Sequence, residues 1–136
     1  MVVPTAVLTE MVHHNAPSQI QSWANNLPAW VTLETSSTAS GSKLNGLGPG
    51  ETEAISIALE LHADALLLDD RRGIREATRC GLSTITTLGV LEFASSQGLL
   101  NLASAFDELG KTSFYMPPPD MLQEILDRAA LSRKTA

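Results

Sequence analysis

The stretch Gly50–Arg75, GETEAISIALELHADALLLDDRRGIR, reads as a turn, a helix, a strand, an acidic pair and the start of a basic helix. It sets Glu51 at a helix N-terminus, and Asp69 and Asp70 at the carboxyl end of an apolar strand, Ala65–Asp69. In an open α/β sheet, ligands and metals gather beyond that end of the strands. Carboxylates converging there suit a hard cation such as Mg²⁺ or Mn²⁺, which takes oxygen ligands.

Outward from this stretch, helices and strands alternate. Pro4 suits the first turn of a helix reaching about His14, and Pro17 a second reaching about Asn26. Trp30–Leu33 is a short strand, and residues 35–50, rich in Ser, Gly and Thr, form a long flexible loop. A helix over Glu51–His62 precedes the strand, whose continuous Leu66–Leu67–Leu68 predicts burial on both faces of a parallel sheet. Arg71–Cys80 is a short helix closed by Gly81, the residue best suited to a left-handed cap, and Ser83–Thr87 is a β-branched strand. Helices follow at about Leu88–Gln97, Leu102–Leu109 and Asp120–Ser132, with residues 132–136 as a frayed tail. The pattern predicts an α/β fold, a parallel sheet flanked by helices, in a single domain over residues 1–136.

Composition narrows the function classes. A chain of 136 residues buries a real core without disulfide staples, and 43% apolar with 18% charged residues excludes a disordered chain or a coiled coil. No apolar run is long enough to cross a bilayer, and no signal-type leader opens the sequence, so no membrane role is expected. The single cysteine, Cys80, excludes an internal disulfide and fits a reducing cytoplasm. His13, His14, His62 and Cys80 lack the paired spacing of a structural zinc site. A net charge of −6 argues against a general nucleic-acid coating protein. Yet four of the nine Lys and Arg residues, Arg71, Arg72, Arg75 and Arg79, directly follow the acidic pair.

At 100° per residue, Glu51 falls with Ile55, Ala58 and His62 on the inward side of its helix, whereas Glu53, Ser56 and Glu60 form a solvated face. An acid at a helix N-terminus ordinarily serves the dipole, so Glu51 is either a capping residue or a site carboxylate. Asp69 and Asp70, being adjacent, point to opposite faces of a strand. One can join a metal cluster while the other caps the next helix, and spacing does not say which. Glu10 lies at the edge of the arc of Val7, Leu8, Met11 and Val12, and a plain helical pair with His14 accounts for it equally. Arg71, Arg75 and Arg79 share one helix face, with Arg72 beside it; the stripe either faces solvent or holds the phosphates of a substrate backbone. Gly46–Gly50 is not a phosphate loop: it lacks the Gly-Lys-Ser/Thr ending, and Glu51 would repel a phosphate.

Leu47–Ile55, Ala65–Ala77 and Thr86–Leu91, together with Val3–Glu10, resemble the VapC-like branch of the PIN-domain proteins from Val3 to about Leu109. The resemblance implies a compact α/β nuclease, of the kind that forms the toxin half of toxin–antitoxin pairs and cleaves RNA with Mg²⁺ or Mn²⁺ held by acids. Carried onto this sequence, the catalytic and metal-binding acids are Glu10, Glu51 and Asp69, with Asp70 the alternative to Asp69. The reaction implied is metal-assisted hydrolysis of a phosphodiester. The resemblance also aligns Met1 within the family's second strand. It therefore implies an N-terminally truncated chain that lacks the first strand and its acid, with impaired activity. Such a chain is expected to pair as a homodimer or to act as an inactive module through an antitoxin or self-association. The remaining alternative is an unrelated small-molecule-binding α/β domain.

Overall fold

A computed structural model describes residues 1–37 and 46–134. In chain order the elements are β1 (Val2–Pro4), α1 (Thr5–Met11), α2 (Ser18–Asn25), β2 (Thr32–Glu34), α3 (Pro49–Glu60), β3 (Leu66–Leu67), α4 (Arg71–Arg79), β4 (Thr84–Ile85), α5 (Thr87–Ser96), α6 (Leu102–Gly110) and α7 (Pro119–Lys134). Strands alternate with helices and pair in parallel, so the α/β class holds. Two compact units divide the chain, Met1–Ile85 and a second beginning at Thr86.

Among the described residues, the strands of the first unit form two separate parallel pairs. β1 lies beside β2 with Val3 opposite Leu33, and β3 beside β4 with Leu66 opposite Thr84. α3 packs against both β1 and β3, and α1 packs on α3. The core under β3 is built from Leu47, Ile55, Leu68 and Ala77, with Leu66, Ile74, Cys80 and Leu82 closing around it.

Two expectations about burial are corrected here. The run Leu66–Leu68 is not covered on both faces. Leu68 is buried at 8% exposure, while Leu67, on the opposite face of the pleat, is 50% exposed. The continuous apolar run marks one covered face plus an apolar residue on the other. The second correction concerns α3. Glu53 is not solvated but 7% exposed, because α1 lies over the side of the helix that the wheel assigns to water. α3 buries Gly50, Thr52, Glu53, Ala54, Ile55, Ile57 and Ala58, which is more than one face of a helix.

Local punctuation sets most boundaries. Pro49 occupies the first turn of α3, and Gly81, at φ +83°, ends α4. α7 begins at Pro119 and remains helical through Lys134, so the tail expected from residue 132 is helix as far as that residue. The centre of the expected 35–50 loop, residues 38–45, lies outside the described residues. In the second unit α5, α6 and α7 pack on one another, with Leu102 and Phe106 buried and an Arg128–Glu92 ion pair at 2.8 Å.

Candidate functional site

Three elements of the first unit carry the acids, and two of them, α1 and α3, bring theirs together. α1 carries Glu10 in its last turn, α3 carries Glu51 in its first turn, and the turn between β3 and α4 carries Asp69 and Asp70. The meeting of Glu10 and Glu51 depends on glycine. A Cβ on Gly50 would stand 2.7 Å from the Glu10 Oε1, and one on Gly48 would stand 2.7 Å from the Glu51 Oε2. The two carboxylates thus lie against bare backbone at the N-terminus of α3. Gly73, in the first turn of α4, is close to the stem of Glu51, 3.7 Å from its Cγ to a Cβ built there. Glu51 therefore spans from the Glu10 carboxylate to the α4 start.

The electrostatics record the proximity. The Glu10 carboxyl is held above the usual carboxylate range, first by burial of the group and then by the neighbouring charge of Glu51; a hydrogen bond from the Gly50 N–H opposes this. Two like charges held together in this way form a site that a cation would relieve.

The acidic pair of the β3–α4 turn divides its work. The Asp70 carboxylate accepts from the backbone N–H of Arg72 at 2.9 Å and of Gly73 at 3.1 Å, which makes it the N-cap of α4. Asp69 is exposed at the end of β3. Among the described residues, no group of three or more His, Cys, Asp or Glu side chains is gathered closely enough to hold a metal ion. Two carboxylates converge, and the third does not join them as a preformed cage.

The basic stripe is also divided. Arg71, Arg72 and Arg75 are exposed, whereas Arg79 is ion-paired with Glu76, itself 8% exposed. That pair is an i,i+3 contact on α4, and its spacing was visible in the sequence. Glu53 is the residue that sequence reasoning missed. Its carboxylate accepts from the Thr5 hydroxyl at 2.9 Å, the Ala6 N–H at 3.1 Å and the Ser36 N–H at 3.4 Å. No local signal identifies a partner 48 positions earlier in the chain.

Among the described residues, no helix is long and apolar enough to cross a membrane. Searches of curated proteins and of solved structures found no match. A family model described as PIN domain matches residues 1–130, which takes in Glu10, Glu51, the β3–α4 turn and most of both units. By that match the chain belongs to the PIN-domain family.

Proposed function

We propose that the chain is a metal-dependent ribonuclease of toxin–antitoxin type that hydrolyses RNA phosphodiester bonds, with Glu10, Glu51 and Asp69 as its site acids. The observation that carries the reading is the pairing of Glu10 and Glu51 over glycine backbone at the start of α3. Oxygen-only donors in mutual repulsion fit a hard divalent ion, and Mg²⁺ or Mn²⁺ is the class such donors select. Glu10 and Glu51 would hold it, with Asp69 supplying a further oxygen from the end of β3. Bound there, the ion would lower the pKa of a water and offset charge on the phosphoryl oxygens.

The remaining work falls to the chain's own groups. Gly50 donates its N–H to Glu10 and keeps that carboxylate turned toward α3. Asp70 fixes the first turn of α4, and with it the direction in which Arg71, Arg72 and Arg75 leave the helix. These three exposed cations would bind the phosphates flanking the scissile bond, a contact that positions RNA without reading its sequence. Arg79, held by Glu76, contributes less.

With only two acids closely paired, turnover is expected to be slow. The test is cleavage of single-stranded RNA by purified 1–136 in Mn²⁺. Slow cleavage that disappears with chelator and with Glu51→Gln supports the reading, and cleavage that survives Glu51→Gln removes it.

A second reading is favoured by the split sheet. Thr32 N donates to Met1 O, while Leu66 N donates to Ser83 O and Leu68 N to Ile85 O, so alternation turns the N–H and C=O of Val2 and Leu67 away from their paired strands. Such strand edges are templates for another strand. On this reading the chain acts as an inactive module that self-associates or takes a strand from an antitoxin. Light scattering tests it: a 14.5 kDa monomer with a cooperative melt counts against self-association.

A further inference from the structure

Glu53 is a buried acid that the proposed chemistry does not use. α1 is only seven residues long, and its N-cap, Pro4, supplies no side-chain hydrogen bond. A helix this short is unstable alone, and its first amides need acceptors. Glu53 provides one from across the fold, taking the Ala6 N–H and the Thr5 hydroxyl on its two oxygens. The favour is returned. α3 begins at Pro49 after Gly48, which has no side chain to cap with, and the N–H of Gly50 is taken by Glu10 of α1. Each helix therefore supplies the carboxylate that caps the other. α1 is tied to α3 at its first turn by Glu53 and at its last turn by Glu10.

We propose that Glu53 is the positioning residue of the carboxylate pair: by clamping the start of α1 it fixes the place of Glu10 beside Glu51. The inference rests on the metal-site reading above and deepens it. Glu53 does not meet the ion or the substrate. It acts through the rigid turn and a half of helix between Thr5 and Glu10, in the manner of outer residues that orient metal ligands. Its second oxygen-bound donor set, Thr5 and Ser36, also draws the segment after β2 onto the same clamp.

The test uses calorimetric titration of Mn²⁺ into the full chain, with amide hydrogen exchange measured in the metal-free protein. Glu53→Gln keeps the shape but cannot accept on both oxygens. It is expected to weaken Mn²⁺ binding by roughly tenfold and to speed exchange at both Ala6 and Gly50, although Gly50 touches Glu10 rather than Glu53. A general loss of stability would add to any other change. A positioning role instead makes the Glu10→Gln/Glu53→Gln double variant bind Mn²⁺ no worse than Glu10→Gln alone. Unchanged affinity in Glu53→Gln, or additive losses, overturns the proposal. If Glu53→Gln does not fold, Thr5→Val removes one clamp donor and carries the same comparison. Should the unaltered chain bind no Mn²⁺, the metal-site reading fails by itself. The clamp is then decided by exchange alone: faster exchange at Gly50 in Glu53→Gln upholds it, and unchanged exchange overturns it.

Discussion

Glu10 holds its proton more tightly in the folded chain than an ordinary carboxyl does, through burial and the charge of Glu51. The folded state therefore binds more protons than the unfolded state between the ordinary value and the raised one. Its stability falls as pH rises through that window, and the penalty is complete once the pH stands above the raised value. Glu10→Gln, which can still accept from Gly50, is expected to raise the melting temperature at a pH above that window. The advantage should shrink as pH falls through that window and be gone below the ordinary carboxylate value, and thermal melts across pH measure it. Gly50 offers a second test at this scale. Alanine there favours the helix by about 0.5–1 kcal/mol, but its Cβ meets the Glu10 Oε1 at 2.7 Å. Gly50→Ala should keep or raise the melting temperature while weakening Mn²⁺ binding, the opposite of ordinary destabilisation.

On the proposed reading the two adjacent acids of the β3–α4 turn have separate uses, and substitution should separate them. Asp70→Ala removes an N-cap bonded to two amides and is expected to cost about 1 kcal/mol of stability with Mn²⁺ binding kept. Asp69→Asn is expected to lower metal affinity, which titration with Mn²⁺ measures. How much of this was legible in sequence follows from where each signal resides. Pro49, Asp70 and Gly81 announce helix ends through their own backbone chemistry, and those ends fall within a residue or two of expectation. Strand lengths were overestimated, since a strand exists only as far as its partner does, and β3 and β4 pair over two residues each. The helical wheel failed at Glu53 because it assumes one buried arc, whereas α3 carries α1 on one side and strands β1 and β3 elsewhere. The approach of Glu10 to Glu51 was implied by family resemblance and by no spacing, since the two stand 41 positions apart in the chain on different helices.

At the scale of the molecule, a net charge of −6 repels RNA at long range, so on the proposed reading attraction comes from the local group Arg71, Arg72 and Arg75. If these three neutralise three phosphates, log affinity for single-stranded RNA should fall against log salt with a slope of about −2. Replacing one arginine by alanine should reduce the slope by about 0.7, and equilibrium binding at several salt concentrations measures both. The mutual capping of α1 and α3 has a bearing on how the chain comes to be folded. α1 leaves the ribosome before α3, and the group that completes its first turn, Glu53, is synthesised 47 residues after Ala6. Seven residues without that acceptor do not hold a helix, so α1 must wait as open chain until α3 arrives. The first unit then assembles late and all at once, since contacts between distant parts of a sequence form slowly. During that wait the apolar Val3 and Leu8 lack the cover they have in the folded unit, and the nascent protein passes through a stage at which it needs shielding from its neighbours.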